Sequence, residues 1–152
     1  MTYLLDTNVL IFMLRGLKVR AHPTERQRER QKMALRMLAH VQKEKLSRNQ
    51  VALSAITAAE LEFGSWNSGD YEKESDAARR AIAPFDLLAF DAGDCAAHYG
   101  RIRHLLESSG KGIGSLDTLI AAQALALGAT LVTSDTAEFS RIPGLKCEDW
   151  AV

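Results

Sequence analysis

The sequence lacks several features that would place it in a specialised class of protein. Its only two cysteines, Cys95 and Cys147, are far apart and lie in no CxxC or Cys/His spacing. This scarcity indicates neither a zinc site nor a disulfide framework, and it fits a reducing cytoplasm. No apolar stretch approaches the roughly 20 residues that a membrane-spanning helix needs. We therefore expect a cytoplasmic protein with no membrane partner.

The chain also lacks the composition of a disordered or fibrous protein. Its 152 residues include only three prolines, with 47% hydrophobic and 25% charged residues, which is ordinary for a globular protein. A chain of this length can bury well over half of the surface that it exposes when unfolded. We find no internal repeat or linker, so we expect a single domain over residues 1–152.

The formal net charge is zero, but the charges are unevenly distributed. Residues 15–48 carry eleven Lys or Arg against three acids, and the rest of the chain carries the opposite surplus. Such asymmetry is typical of a surface that faces a polyanion, although a solvated helix face would look the same. We predict a basic helical arm at about residues 18–48. Its possible contacts with a polyanion or a protein partner are Arg26, Arg28, Arg30 and Arg36. Met33, Met37 and Val41 would face the core or that partner.

Strand-like and helix-like segments alternate along the chain. The predicted strands are YLLD, VALS, DLLAF, ATLVT and an edge strand near LKCED. The predicted helices start near Asn8, Thr24, Ser54 or Thr57, Tyr71, Asp91 and Ser115. Gly128 is placed to close the last of them in the left-handed conformation. This alternation favours an α/β domain with a mainly parallel sheet and helices on both faces.

Four carboxylates lie near the predicted carboxyl ends of the strands. Asp6 closes the first strand and Asp135 follows ATLVT, while Glu60 and Asp117 lie near the starts of two helices. Because ligands of open parallel sheets bind at this edge, we expect the four side chains to share one pocket. Each acid alone could be structural, as a helix-dipole partner, an N-cap or a turn residue. The prediction therefore depends on their joint placement.

Clustered carboxylates repel one another, and a divalent cation would remove that repulsion. Oxygen ligands without His or Cys favour Mg²⁺ or Mn²⁺ over zinc and leave positions for water and phosphate. Two ions about 3.5 to 4 Å apart would activate water and neutralise charge on a phosphodiester. The four histidines show no ligand spacing, and we expect them at the surface or satisfied inside the protein.

Several ordered motifs resemble the PIN-domain superfamily and, within it, the VapC-like toxins of type II toxin-antitoxin pairs. The matching stretches are YLLDTNVLI, SAITAAELEFG, HYGRIRHLLESSGKGIGSLDTLIAAQALALGATLVTSD and EFSRIPGLKCEDW. The resemblance implies a PIN-like, three-layer α/β/α fold with a five-stranded, mainly parallel sheet of order 3-2-1-4-5. The residues that it matches to the family's catalytic, metal-binding acids are Asp6, Glu60, Asp117 and Asp135. It matches Thr133 to a hydroxyl that supports the site. It matches Asn8 less strongly, as a residue beside the site.

The activity implied by this resemblance is that of a toxin with Mg²⁺- or Mn²⁺-dependent endoribonuclease activity. Family members leave a 5′-phosphate and a 3′-hydroxyl, often on tRNA or ribosomal RNA. They are typically held silent by a cognate antitoxin, and they commonly form homodimers. Beside this resemblance, the basic arm is expected to contact RNA or the antitoxin through Arg26, Arg28, Arg30 and Arg36.

Two other functions fit the same predicted fold. A non-catalytic module that binds nucleic acid or an antitoxin would keep the architecture, but the four acids argue against it. A phosphatase with an aspartate nucleophile is disfavoured, because DTN stands at the first strand where a DxDx[TV] signature would be needed.

Overall fold

The computed structural model describes residues 1–152 and contains one five-stranded sheet. Its strands are β1 (Thr2–Leu5), β2 (Gln50–Ser54), β3 (Asp86–Leu88), β4 (Thr130–Val132) and β5 (Lys146–Glu148). Their order is β3-β2-β1-β4-β5, and all four pairings are parallel. The predicted fold class and strand order are therefore confirmed.

Seven helices connect and cover the strands. They are α1 (Thr7–Gly16), α2 (Glu25–Leu46), α3 (Ala55–Asn67), α4 (Tyr71–Ile82), α5 (Asp94–Ser108), α6 (Ser115–Leu127) and α7 (Thr136–Phe139). Side chains alternate across β1, so that Leu5 packs in one core cluster and Leu4 in the other. The first cluster includes residues of α1 and α2, and the second includes residues of α5 and α6. Two packed layers of helices therefore enclose the sheet.

The register of the central strands determines where the candidate site lies. Leu5 at the end of β1 pairs with Leu53 of β2 and with Val132 of β4. The segments that follow these strands therefore leave the sheet side by side. Asp6 follows β1 directly, and its backbone N–H donates to the Val132 carbonyl at 2.9 Å. The sheet thus brings residues separated by more than a hundred positions to one edge.

The basic segment contributes to the hydrophobic core. A capping box starts α2: the Gln27 N–H donates to the Thr24 hydroxyl, and the Thr24 N–H donates to the Gln27 side chain. Ala34, Met37 and Val41 on α2 are buried in the first core cluster, and Met33 packs at its margin. The apolar stripe of α2 therefore faces the core, while its arginines remain on the exposed side.

Three predicted helix starts are wrong by a few residues. Asn8 is not the cap of α1, because the helix already begins at Thr7 and Asp6 occupies the N-cap position. The helix predicted from Asp91 begins at Asp94, since the Asp91 carboxylate accepts the Gly93 N–H and forms a turn. Ser115 is the first residue of α6 rather than its cap. Gly128 does end α6 with a left-handed φ of 62°, as predicted.

Both cysteines are free, with Cys95 buried and Cys147 partly exposed on β5. None of the seven helices combines the length and the apolar character that crossing a membrane would require.

Gly16 allows α1 to cross closely over α2. A Cβ atom at this position would lie 2.6 Å from the Cβ of Ala34 and 2.9 Å from the carbonyl oxygen of Arg30. Because one of these neighbours is backbone, the two helices would have to move apart. We expect Gly16→Ala to lower the free energy of unfolding by about 1–3 kcal/mol, measured by denaturant titration.

Gly64→Ala is the matched control, because a Cβ at this helical glycine of α3 has no neighbour within 4 Å. It should be neutral or stabilising by up to ~1 kcal/mol. Equal stability of the two variants would show that the helices do not need this close crossing.

Candidate active site

The four acids predicted to form a site lie on four segments at the carboxyl edge of the sheet. Asp6 lies at the end of the central strand β1, and Asp135 precedes the short helix α7. Glu60 lies in the second turn of α3 and Asp117 in the first turn of α6. Asp6 is only 3% exposed, Glu60 and Asp117 are partly buried, and Asp135 is exposed. The acids therefore range from the interior of the protein to solvent.

Thr133 connects Asp6 to Asp135. Its fully buried hydroxyl donates to Asp6 Oδ2 at 3.1 Å and accepts the backbone N–H of Asp135 at 3.0 Å. The loop after β4 is thereby held against the end of β1. The structure gives Thr133 a supporting contact, whereas Asn8 is exposed and lines the cavity beside Asp6, with its backbone N–H near the Asp6 carboxylate.

The second oxygen of Asp6, Oδ1, is buried and has no hydrogen-bond partner in the protein. Burial raises the pKa of Asp6. The Thr133 hydrogen bond and the N–H groups at the start of α1 oppose this increase, while the charge of Glu60 adds to it. A buried carboxylate with one unsatisfied oxygen is costly, and such an exception needs an explanation.

Asp117 is affected electrostatically by two of the other acids. Burial raises its pKa, and the negative charges of Asp6 and Asp135 raise it further. Its carboxylate also lies beside Gly114, since a Cβ built there would be 3.4 Å from Asp117 Oδ2. Asp117 therefore belongs to the same electrostatic group as Asp6 and Asp135.

Glu60 is held by a hydroxyl group from the start of α1. Thr7 Oγ1 donates to Glu60 Oε1 at 3.0 Å, and it also lies 2.7 Å from Thr57 Oγ1 on α3. Both threonines are buried. Sequence reasoning did not select either one. The DTN motif that contains Thr7 was available as a signal, but nothing in the sequence alone pairs Thr7 with Glu60.

Glu138 is a further carboxylate at this edge that sequence reasoning missed. Its backbone N–H donates to Asp135 Oδ1 at 3.1 Å, so Asp135 caps α7. A side-chain hydrogen bond to Asp135, partial burial and the charges of Asp135 and Asp117 raise the pKa of Glu138 to about 6. The hydrogen bonds from Glu138 lower the pKa of Asp135. The three-residue spacing of Asp135 and Glu138, typical of a capping box, was the signal that could have identified it.

Two separate concave regions open beside the acids. The first is a cavity of about 390 Å³, which is lined by Asp6, Asn8, Val9, Phe12, Met33, Ser134 and Asp135. The second is a groove of about 360 Å³ between α1, α3 and α4, and Glu60 lines it. Asp6 and Asp135 thus line one cavity, Glu60 lines the neighbouring groove, and Asp117 lines neither. Glu60 is still close enough for its charge to raise the pKa of Asp6.

The donor atoms fit a hard divalent cation, although they do not form a complete metal cage. No group of three or more His, Cys, Asp or Glu side chains is arranged to hold a metal ion. Magnesium sites need no such cage, because one or two carboxylates can combine with water and substrate phosphates. The buried, unpartnered Oδ1 of Asp6 is the atom that such an ion would satisfy. Asp6 and Asp135 are the residues best placed to hold it.

The four predicted contact arginines of α2 do not act as one group. Arg28 donates to the Pro23 carbonyl, and Arg36 donates to the carbonyl of Ala151. Arg30 instead lines a basic cavity of about 130 Å³ at the connection between α1 and α2. The other cations of this basic cavity are Arg15, Lys18 and Arg20, and no acid lines it. The Arg26 side chain is exposed and makes no ion pair.

Comparison with known proteins identifies the family. The PIN domain family matches residues 3–145. The chain is 34% identical over 150 residues to ribonuclease VapC2 of Rickettsia felis, covering 99% of this chain and 98% of that protein. It is 30% identical over 149 residues to the tRNA(fMet)-specific endonuclease VapC of Shigella flexneri, covering 98% of each.

Solved structures give the same result. The chain resembles a chain of the VapBC2 complex of Rickettsia felis bound to a promoter DNA fragment, with a TM-score of 0.78 and 31% identity over 99% of both chains. It also resembles a chain of VapBC-1 from nontypeable Haemophilus influenzae, with a TM-score of 0.76 and 29% identity over the whole of both chains. This protein therefore belongs to the PIN-domain family. Its relatives within that family are the VapC ribonucleases, as the sequence motifs predicted.

The cost of burying Asp6 can be measured directly. A neutral amide costs less to bury than a carboxylate, and the Asn side-chain oxygen can still accept the Thr133 hydrogen bond. We therefore expect Asp6→Asn to raise the melting temperature at pH 7 in the presence of EDTA. Asp76→Asn is the control, because Asp76 is an exposed carboxylate of α4 that pairs with Arg80. A melting temperature that falls in Asp6→Asn but not in the control would contradict this account of the site.

Proposed function

We propose that this protein is the toxin of a toxin-antitoxin pair and acts as an Mg²⁺- or Mn²⁺-dependent endoribonuclease. The observation that carries the proposal is the buried Oδ1 of Asp6, which lacks a hydrogen-bond partner, on a residue that lines a cavity together with Asp135. The names of the VapC relatives support ribonuclease activity. The resemblance of the motifs supports metal dependence and the 5′-phosphate and 3′-hydroxyl products.

The residues of the site have different roles in the proposed reaction. Asp6 and Asp135 line the cavity, and Thr133 holds the Asp6 carboxylate against the backbone of Asp135. Glu60 and Asp117 add negative charge near Asp6, which favours the binding of a cation. A divalent cation bound here would neutralise charge on the scissile phosphate and make an attacking water more acidic. Val9, Phe12 and Met33 form the apolar part of the cavity lining.

The substrate class that we propose is tRNA. The relative from Shigella flexneri is named a tRNA(fMet)-specific endonuclease, and it aligns with this chain over nearly the full length of both. The ribosomal RNA expected as an alternative is a second substrate to include in cleavage assays.

Removing the carboxylates should abolish cleavage. We expect Asp6→Asn and Glu60→Gln each to lower the rate of RNA cleavage in Mn²⁺ by at least about a hundredfold, since even residues that merely support metal ligands cost 10- to 100-fold. EDTA should have the same effect on the native protein. The measurement is the cleavage rate of a tRNA transcript, with mapping of the new 5′ ends.

Glu62→Gln is the matched control for Glu60→Gln. Glu62 lies two residues away on α3, but its carboxylate pairs with Arg79 and accepts the Tyr71 hydroxyl instead of facing the site. This variant should cleave normally. Cleavage that persists in EDTA or in Asp6→Asn would contradict the mechanism. Absence of both cleavage and Mn²⁺ binding in the native protein would favour the non-catalytic module.

The basic cavity between α1 and α2 provides a path for the RNA backbone. Its cations Arg15, Lys18, Arg20 and Arg30 make no ion pair with an acid of the chain. Arg15 and Lys18 also line the groove that contains Glu60, so positive charge extends from the basic cavity towards the acids. Phosphate contacts of this kind position a nucleic acid without reading its sequence.

Neutralising this cavity should weaken RNA binding in a salt-dependent way. We expect Lys18→Gln/Arg30→Gln, made in the inactive Asp6→Asn background, to reduce the slope of log affinity against log salt concentration. The reduction should be about 0.7 to 0.9 for each RNA phosphate that the variant no longer neutralises. Fluorescence anisotropy of a labelled tRNA at several salt concentrations measures it.

Arg80→Gln/Arg103→Gln removes the same charge from cations that pair with acids on their own helices, Asp76 and Glu107. For this variant, the slope of log affinity against log salt concentration should equal that of the Asp6→Asn parent. If the two double variants showed the same slope of log affinity against log salt concentration, the basic cavity would not contact the RNA.

An antitoxin is the protein partner that we propose, because the solved relatives are VapBC complexes. The groove between α1, α3 and α4 is suited to an extended or helical segment, since Ile11, Leu14, Leu61 and three alanines of α4 line it. Glu60 and Arg15 at the same groove would allow a charged side chain of the partner to approach the acids. The homodimer stays a prediction of the family resemblance.

A further inference from the structure

A chain of three side chains, Thr57, Thr7 and Glu60, runs from the interior of the protein to the edge of the site. Thr57 Oγ1 lies 2.7 Å from Thr7 Oγ1, and Thr7 Oγ1 lies 3.0 Å from Glu60 Oε1. Thr57 is fully buried and Thr7 is 3% exposed. These hydroxyls are therefore shielded from bulk solvent, and each depends on its neighbour in the chain for a hydrogen bond.

The direction of this chain follows from counting hydrogen atoms. A threonine hydroxyl has one hydrogen to donate, and an ionised carboxylate can only accept. Because Thr7 gives its hydrogen to Glu60, it must accept the hydrogen of Thr57. The order is thus Thr57 to Thr7 to Glu60, and both hydroxyls are satisfied only when Glu60 accepts.

The positions of the three residues in the fold make the chain compact. Thr7 is the first residue of α1 and follows Asp6 directly. Thr57 lies three residues before Glu60 on α3, so the two share one face of that helix. The contact between α1 and α3 therefore couples Glu60 to the segment that carries Asp6.

We propose that Thr7, supported by Thr57, is a positioning residue that reserves one oxygen of Glu60 and leaves the other available to a cation. This inference rests on the proposed metal-dependent function. Thr7 occupies Oε1, and no hydrogen bond within the protein reaches Oε2. Thr133 occupies Oδ2 of Asp6 in the same way and leaves Oδ1 without a partner.

On each of these two carboxylates, one oxygen accepts a threonine hydroxyl and the other accepts no hydrogen bond within the protein, which favours binding of an ion through one oxygen over binding through both. Mg²⁺ prefers a small octahedral shell, whereas Ca²⁺ readily accepts both oxygens of one carboxylate in a larger and more flexible shell. Hydroxyls that occupy one oxygen of each carboxylate favour the smaller ion. Thr7 thereby contributes to selectivity among divalent cations as well as to the orientation of Glu60.

The test is calorimetric titration of the purified protein with Mn²⁺ and separately with Ca²⁺, which gives a readout independent of RNA cleavage. We expect Thr7→Val to weaken Mn²⁺ binding roughly 10- to 100-fold, as is usual when a metal ligand loses its supporting partner. We also expect Thr7→Val to lower the ratio of the Mn²⁺ affinity to the Ca²⁺ affinity. Thr7→Ser keeps the hydroxyl and should bind both ions nearly as the native protein does.

Two further variants keep the experiment decisive. Thr7→Val/Thr57→Val removes both hydroxyls, so that no buried donor is left unpaired if Thr7→Val alone folds poorly. It should show the same loss of affinity and selectivity. Thr130→Val replaces another buried threonine, on β4, which has no side-chain hydrogen bond to the acids. This control should bind both ions normally.

Glu60→Gln separates failure of this inference from failure of the proposed function. If Glu60→Gln weakens Mn²⁺ binding while Thr7→Val does not, the positioning role is wrong and the metal site stands. If Glu60→Gln and Asp6→Asn both leave Mn²⁺ binding unchanged, the proposed metal site is wrong and the inference is overturned with it. Equal losses in Thr7→Ser and Thr7→Val would also overturn it, because the hydroxyl would then have no specific role.

Discussion

The buried carboxylate of Asp6 is the constraint on which the arrangement of the site depends. It lies at the end of the central strand, where β1 is flanked by β2 and β4 and the chain enters α1. One oxygen is bound by Thr133 and the other has no partner. A protein interior tolerates such a group only if a ligand supplies the missing contact, or if the rest of the fold is stable enough to offset the free energy that burying it requires. The proposed cation would supply this contact by binding Oδ1 of Asp6.

Hydroxyl groups organise the acids around this centre. Thr133 joins Asp6 to the segment that carries Asp135, and Thr7 joins the segment after Asp6 to Glu60. Neither link is an ion pair, so no cation of the chain occupies these carboxylates through them. The positive charges of α2 and of its connection to α1 form a separate basic cavity, which reaches the acids only through Arg15 and Lys18 at the groove that contains Glu60. The protein therefore keeps a site for cations beside a surface for polyanions.

Sequence reasoning could predict what depends on local pattern and on strand ends. The alternation of apolar runs indicated the α/β class, and the residues that follow strands indicated Asp6 and Asp135. The strand order came from the family resemblance, because no local pattern states which strands are neighbours. Helix starts at Asn8, Asp91 and Ser115 were displaced, since turns such as that at Asp91 compete with capping by similar residues.

The contacts between distant segments could not be predicted in this way. Thr7 and Glu60 are 53 positions apart, and their hydrogen bond depends on how α1 packs beside α3. The basic cavity likewise combines Arg30 of α2 with cations from the end of α1 and the following loop. Among the arginines selected from charge density alone, Arg28 and Arg36 instead bind backbone carbonyls. Charge runs indicate a kind of surface, whereas packing decides which of their residues act together.

The most direct test of the central claim is an anomalous difference map from crystals of this protein grown with Mn²⁺. The account predicts a peak at coordination distance from Oδ1 of Asp6, with Oδ2 still bound by Thr133 and with Asp135 or Glu60 nearby. A map with no peak at this edge of the sheet, at an Mn²⁺ concentration that supports RNA cleavage, would contradict it.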